Sequence, residues 1–186
     1  MSRGIDNSPV VPFYEKEEVK SVGHRHTIDH DTADPVEIKQ ILLKLTELVA
    51  RRLRAKKLVG KTISCWFRYS DFSTEGMQTT INSTQDGLEI FKAGWKVFQG
   101  IWDGNRVSGA FVPIRTIGVS VSNLKPLIPQ TLSLLPETKR QEKIIKTLDK
   151  INDKYGEFTL QRGILLGSDK IRRKANPFIS DRRFKV

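Results

Sequence analysis

Two helix-start signals of the same kind divide the first two thirds of the chain and restrict its fold more than any other feature. Asp34-Pro35-Val36-Glu37 offers a capping aspartate, a proline that fits the first helical position and a glutamate that can complete a capping box. Asp86-Gly87-Leu88-Glu89 repeats this chemistry without the proline. Apolar residues recur at spacings of three and four after each signal, which predicts two amphipathic helices, ending near Gly60 and at Gly104. The two apolar stripes are Ile38, Ile41, Leu42, Leu45, Val49 and Leu53, and Leu88, Phe91, Trp95, Phe98 and Trp102.

Stretches typical of β-strands lie before, between and after these helices. Alternation or threonine-rich composition predicts strands over residues 20–28, 62–72, 77–83 and 113–124. The resulting order, βαββαβ, predicts an α+β fold in which two helices cover one face of a four-stranded sheet. The other face is then open, and alternation places short polar and basic side chains on it, which suit a phosphate backbone better than an apolar ligand. These residues are Thr62, Ser64, Trp66, Arg68, Ser70, Arg115, Ser120 and Ser122.

The charge of the chain points to the same class of partner. Thirty-two Lys and Arg against 21 Asp and Glu give a net charge of +11, which favours a polyanion. A single cysteine, Cys65, excludes an internal disulfide and a multi-cysteine metal site. No apolar run reaches the roughly 20 residues of a membrane-spanning helix. We therefore expect a soluble, cytoplasmic protein with no membrane partner.

The pattern changes after residue 125. A proline-containing break is followed by a stripe of Ile144, Leu148, Ile151 and Tyr155 that predicts a helix ending at Gly156. The lysines around this stripe indicate either a solvated helix face or weak contact with DNA. Residues 167–186 are basic without a period, and we expect them to be loosely ordered. The predicted organisation is a linker over residues 1–19, a domain over 20–125 and a basic extension with one helix over 126–186.

Four ordered motifs resemble a known family. The chain is similar to the little-finger domain of Y-family translesion DNA polymerases, the UmuC/DinB (ImpB/MucB/SamB) group, from residue 4 to 124 and more weakly to 166. The motifs are Lys20-Ser21-Val22-Gly23-His24, Asp34-Pro35, Arg68-Tyr69-Ser70-Asp71-Phe72 and residues 114–124.

The resemblance implies a function in DNA damage repair and the SOS response. The family's little finger is a βαββαβ domain that lays its sheet in the DNA major groove and, with a thumb domain, holds primer–template DNA for a separate palm domain. The stretch over residues 4–12 looks like the end of the thumb, and residues 1–19 are interpreted as the linker from that absent domain. By position, Lys20, Ser21, Val22 and Gly23 resemble a segment whose backbone contacts phosphates, and Arg115 matches an arginine that touches the template strand. Arg68, Thr62 and Ser64 are added from strand alternation, as are Trp66, Ser120 and Ser122.

The carboxylates that catalysis would need do not stand out in the sequence. A polymerase palm holds two Mg²⁺ ions with clustered acids. The spaced pair here, Asp29 and Asp31, falls in a predicted loop, and we interpret both as solvated. We expect no catalytic residue and no cofactor in this chain, with Mg²⁺ only in the palm of the parent enzyme, and hence no polymerisation by this chain alone.

Two other features allow more than one interpretation. His24, His26 and His30 could approach a metal ion, but strand packing or hydrogen bonding is the interpretation we prefer, so no metal site is predicted. Trp66 either stacks on a base or packs across the strands.

A short peptide predicts a protein partner. Residues 130–135 resemble the sliding-clamp-binding peptide of bacterial polymerases, through Gln130, Leu132, Ser133, Leu134 and Leu135, with Leu135 where the family has phenylalanine. Extended apolar peptides of this kind dock in clamp pockets. The alternative is that these leucines fold back on the domain. Primer–template DNA, the sliding clamp and the rest of a polymerase are the expected partners.

An RNA-recognition module shares the βαββαβ order and is the rival interpretation. Such modules stack bases on aromatic side chains of their central strands. The predicted strand over residues 77–83 has no aromatic residue. The sequence therefore favours DNA over RNA.

Overall fold

A computed structural model of the protein describes residues 18–104, 106–107, 110–127 and 136–166, which form four long strands, three helices and smaller elements. The order confirms the predicted βαββαβ arrangement, with one addition that the sequence did not predict, the short hairpin of β4 and β5. The elements are β1 (Ser21–Thr32), α1 (Pro35–Ala55), β2 (Leu58–Tyr69), β3 (Thr74–Thr84), α2 (Gly87–Gly104), β4 (Arg106–Val107), β5 (Ala110–Phe111), β6 (Ile114–Pro126), α3 (Pro136–Tyr155) and a 3-10 turn (Gly163–Leu165).

The main sheet is antiparallel with the strand order β1-β6-β2-β3. Helix α1 packs against β1 and β6, and α2 packs against β2 and β3, so both helices cover the same face as predicted. The core lies between these layers, where Phe67 of β2 meets Phe98 of α2 edge to face with the ring centroids 4.8 Å apart. Alternate residues of β2 and β6 supply the sheet side of this core, namely Ile63, Cys65, Phe67, Ile117, Val119 and Val121.

The two predicted helix starts are real caps. The Val36 N–H donates to the Asp34 carboxylate over 2.9 Å, and the Leu88 N–H donates to the Asp86 carboxylate over 2.8 Å. Each bond satisfies an N–H that would otherwise lack a partner in the first helical turn. The capping aspartates therefore fix where the helical layer begins beneath the sheet.

The end predicted for α1 is wrong. The helix stops at Ala55, and Lys57 then adopts a left-handed backbone angle, φ 53°, that turns the chain directly into β2. Gly60 lies inside that strand, where a Cβ would come within 2.4 Å of a Val121 methyl carbon. The glycine is needed for close packing between strands rather than for helix termination.

The segment over residues 136–166 packs on the side of α1 that faces away from the sheet. Arg54 of α1 donates from Nε and Nη2 to the Asp149 carboxylate of α3 over 2.6 and 2.8 Å. Beyond α3, Arg162 donates to Glu47 of α1 over 2.7 Å, and Leu165 is buried in the core cluster. The extension is therefore joined to the helical layer by charged pairs and by the apolar side chains of Leu165 and Phe158.

The stripe predicted to bury α3 is wrong at both of its ends. Ile144 and Tyr155 are 50% and 65% exposed, whereas Asn152 is only 5% exposed. Asn152 donates to the Leu160 carbonyl over 3.0 Å and accepts the Leu160 N–H over 2.9 Å. Polar anchors, rather than apolar periodicity, therefore select the face of α3 that packs inward. Within the described residues, no helix combines the length and apolar character that crossing a membrane requires.

Candidate nucleic-acid interface

The face of the sheet opposite the helices presents aligned rows of mostly short side chains. The strand register places four residues in each row, one from each of β1, β6, β2 and β3 in that order. The rows are Ser21, Ser122, Thr62 and Thr80; Gly23, Ser120, Ser64 and Gln78; Arg25, Gly118, Trp66 and Gly76; and Thr27, Thr116, Arg68 and Thr74. We call this surface the open face. It contains six of the predicted contact residues from β2 and β6 and no carboxylate.

Two glycines shape the middle of the open face around Trp66. The indole lies over Gly118 so closely that a Cβ there would sit 2.1 Å from indole Cε2 and 2.3 Å from Nε1. On the other side, a Cβ on Gly76 would approach the Trp66 Cβ to 3.0 Å. The half-buried indole is therefore packed across the strands, which is one of the two alternatives that the sequence left open. Stacking of its exposed part on a base stays a prediction.

Not every predicted residue offers its side chain on the open face. Thr62 is only 6% exposed, and its hydroxyl accepts a 2.8 Å bond from the Asn123 amide. Ser70 lies beyond the end of β2, where its N–H donates to the Pro113 carbonyl over 3.0 Å. The prediction that β2 continues to residue 72 is therefore wrong, since residues 70–73 form the turn to β3.

That turn holds an exposed aromatic ring against two arginines. Phe72 is 57% exposed and has a left-handed backbone, φ 67°. The Arg68 guanidinium carbon lies 5.0 Å from the centre of its ring, and that of Arg115 lies 4.7 Å away. Two backbone hydrogen bonds close the turn, from the Tyr69 N–H to the Ser73 carbonyl over 3.0 Å and from the Phe72 N–H to the Tyr69 carbonyl over 3.1 Å. Guanidinium groups near aromatic faces are stabilised as cation–π pairs.

Arg115 reaches this cluster because β6 contains an irregularity. Thr116 pairs with Arg68 and Ile114 pairs with Tyr69, so Arg115 is an extra residue between two consecutive pairs. Strict alternation from Ile117 directs Arg115 into the core, so alternation did not justify the sequence-based placement of Arg115 on the open face. The bulge reverses that direction and brings the side chain there. Ile114 is fully buried as a result, while the side chain of Arg115 stays 38% exposed.

Asp31 pairs with this arginine. Asp29 and Asp31 are both exposed as predicted, but both lie in β1, so the prediction that they fall in a loop is wrong. Strand β1 runs to Thr32, and the side chain of Asp31 is 26% exposed. Arg115 donates to it from Nε and from Nη2, each over 3.0 Å. Hydrogen bonding to Asp31, and then its negative charge, raises the pKa of Arg115 further above its ordinary value.

The outer edge of β1 carries the segment over residues 20–23. Lys20, Ser21 and Gly23 are exposed, but the Val22 side chain is 6% exposed and belongs to the core. The Gly23 carbonyl accepts a 3.1 Å bond from Arg52 of α1. That carbonyl therefore points away from β6, and the N–H of the same residue shares its direction. Val22 can offer only its backbone to a ligand.

Sequence reasoning missed several residues of this surface. Arg25 is exposed on the open face, and the alternation of the first strand was sufficient to find it. Gly76 required the register between β2 and β3. The role of Phe72 could be found only from the turn, and that of Asp31 only from the bulge that brings Arg115 beside it.

The three histidines of β1 do not converge on one point. His24 and His26 are half-buried on the helix side of the strand, whereas His30 is exposed and lies 3.2 Å from Glu37 through Nε2. Glu37 was predicted to complete the α1 capping box, and the contact that the structure shows for its carboxylate is the one with His30. Within residues 18–166, apart from the gaps in the description, no three metal-ligating side chains form a group.

The predicted clamp-binding peptide cannot be placed on this framework. Gln130, Leu132, Ser133, Leu134 and Leu135 lie outside the described residues, as does the basic stretch over 167–186.

Comparison with known proteins identifies the family. Residues 19–134 match the impB/mucB/samB family C-terminal domain. The match covers more than half of the chain, so the chain belongs to this family, which confirms the resemblance found in its sequence. The RNA-recognition interpretation receives no support.

The curated relatives are considerably longer than this chain. DNA polymerase IV of Moorella thermoacetica is 31% identical over 166 residues, which cover 89% of this chain and 40% of that protein. DNA polymerase IV 1 of Bacillus subtilis is 29% identical over 187 residues, covering 97% of this chain and 43% of the relative. A solved complex of a beta-clamp processivity factor and the little finger domain of PolIV aligns with 61% of this chain and 97% of the matched chain, at 22% identity and a TM-score of 0.46. The chain thus spans about two fifths of the polymerases it matches.

Proposed function

We propose that this chain is the non-catalytic DNA-binding part of a bacterial Y-family DNA polymerase and that it holds primer–template DNA in the cytoplasm through phosphate contacts. The observation that carries the proposal is the open face, which combines hydroxyl side chains, exposed Arg25 and Arg68 and no carboxylate in a chain of net charge +11. Hydroxyls, arginines and backbone N–H groups are the usual donors to DNA phosphates. The outer edge of β1, over residues 20–23, would add backbone and lysine contacts to the same duplex.

The test is a salt titration of binding to labelled primer–template DNA, followed by fluorescence anisotropy. If roughly four to six phosphates are engaged, log K against log salt should have a slope of about −4 to −5. A flat salt dependence would reject phosphate-based binding.

Single substitutions locate the surface. Arg68→Ala and Arg25→Ala should each weaken binding to duplexes of every sequence and reduce the slope by about one unit, because each removes a phosphate contact. Lys96→Ala is the matched control, since Lys96 is exposed on α2, on the other side of the sheet, and should leave the slope unchanged. Equal effects at all three positions would mean that net charge alone drives binding.

The proposal also assigns catalysis to another part of the parent enzyme. Incubating this chain with Mg²⁺, primer–template DNA and deoxynucleotides should give no primer extension. Extension by the purified chain would reveal a catalytic site. The sliding clamp remains a predicted partner through residues 130–135, and binding of a chain without those residues to an immobilised bacterial clamp is the test.

A further inference from the structure

The guanidinium of Arg115 is held from two directions. Asp31 binds the edge formed by Nε and Nη2 with two 3.0 Å bonds, and Phe72 lies 4.7 Å from the guanidinium carbon. A guanidinium has five N–H donors in a rigid planar fork, of which the Asp31 pair uses two. The donors of Nη1 lie outside that ion pair, so they can still donate to a phosphate oxygen.

Phe72 keeps its place despite an unfavourable backbone. A bulky side chain at φ 67° is a genuine outlier, and outliers of this kind persist only where the surrounding structure enforces them. Burial does not explain it, because the residue is 57% exposed. The turn instead aims the ring at Arg68 and Arg115, and Arg68 Nε also donates to the Phe72 carbonyl over 3.4 Å.

We propose that Asp31 and Phe72 are positioning residues that hold Arg115 and Arg68 as a preformed phosphate clamp at the β2–β3 end of the open face. This inference rests on the proposed function and adds two residues that do not themselves contact DNA. Arginine side chains lose much rotational freedom when a ligand immobilises them, and prior ordering removes that cost from binding. The aspartate thus increases affinity although its charge repels phosphate.

Positioning and charge repulsion change the affinity for DNA in opposite directions, which makes the inference testable. Removing the Asp31 charge by Asp31→Asn would tighten binding if simple repulsion dominated. If positioning dominates, binding weakens by roughly two- to tenfold, the range expected for losing the order of one arginine. Glu89→Gln is the control for the loss of one negative charge, because Glu89 is exposed on α2, on the other side of the sheet, and its removal should leave affinity unchanged or slightly increased.

A second variant separates positioning from stability. Phe72→Gly relieves the left-handed backbone, so the thermal midpoint should not fall, while affinity for primer–template DNA should fall. A merely structural role would lower both quantities together. The thermal midpoint is measured by circular dichroism on the full chain.

The decisive measurement repeats Asp31→Asn and Phe72→Gly in an Arg115→Ala chain. The effect of each substitution on affinity should then fall to half or less, because the guanidinium of Arg115 that Asp31 and Phe72 position is gone. If Asp31→Asn tightens binding, or if both effects persist unchanged without Arg115, the inference is overturned. A wild-type chain that fails to bind primer–template DNA would instead overturn the proposed function, which is a different result.

Discussion

The contact between Trp66 and Gly118 allows a sharp test of how the open face is built. A Cβ at residue 118 would lie 2.1, 2.3 and 2.5 Å from three atoms of the indole. Non-bonded carbons approach to about 3.5 Å, so Gly118→Ala must displace the ring by roughly 1.5 Å. Overpacking of this kind costs about 1–3 kcal/mol. At this chain length, each kcal/mol lowers the thermal midpoint by about 2–4 °C.

The sign of the effect should depend on the tryptophan. In a Trp66→Ala chain the clash is absent, and alanine in a strand is more stable than glycine by about 0.5–1 kcal/mol. Gly118→Ala should therefore destabilise the wild type and stabilise the Trp66→Ala chain. The free energy of unfolding is measured for all four chains by urea denaturation, with far-ultraviolet circular dichroism as the probe.

A matched control uses the same substitution in open space. A Cβ at Gly100 of α2 would meet nothing within 4 Å, so Gly100→Ala should raise the free energy of unfolding by about 0.5–1 kcal/mol. Destabilisation by Gly118→Ala of equal size with and without Trp66 would refute the reasoning, because the indole would not then be the obstacle.

Three further outcomes follow from other parts of the fold. Burial raises the pKa of the Cys65 thiol to about 12, so Ellman's reagent should not label the folded chain at pH 8 and should label it in urea. Keeping this thiol protonated contributes to the free energy of unfolding. That contribution is complete below the pKa of the unfolded thiol, about 8.5, and declines as pH rises toward 12. Asp34→Ala removes the 2.9 Å bond to the Val36 N–H and should cost about 1 kcal/mol in thermal unfolding, whereas Asp34→Asn should retain most of it. Arg54→Met leaves Asp149 without its bidentate partner, so trypsin should cut α3 faster while the sheet stays intact, and an unchanged digestion rate would contradict ionic docking of α3.

Regular alternation and capping chemistry made most of the fold predictable. Asp34 and Asp86 act through bonds to N–H groups two residues away, so their effect is visible in a short stretch of sequence. The core side of β2 follows from alternation alone, as Ile63 and Phe67 demonstrate. Six of the open-face positions were found in the same way.

What the sequence could not reveal depends on pairing between distant segments. Thr62 was predicted on the open face, yet the bond from Asn123 depends on the position of β6. The face that α3 buries depends on the bond from Arg54 to Asp149, two residues that are 95 positions apart in the sequence. Apolar periodicity within the helix was therefore misleading. Asp31 looked like a loop residue because nothing near it in the sequence indicates an arginine 84 positions later.

The single extra residue in β6 reverses the direction of the side chains that precede it in the strand. Upstream of Thr116, Arg115 and Ile114 each face the side opposite to the one that counting back from Ile117 would assign. Deleting Arg115 itself would restore regular alternation of side chains along β6 but would remove the clamp arginine. Deleting Thr116 instead would leave Arg115 next to Ile117, and alternation would then keep the arginine on the open face and Ile114 in the core. A one-residue deletion at the bulge should therefore disturb the sheet less than a one-residue deletion in the regular part of β6, which would reverse side-chain direction on one side of the deletion.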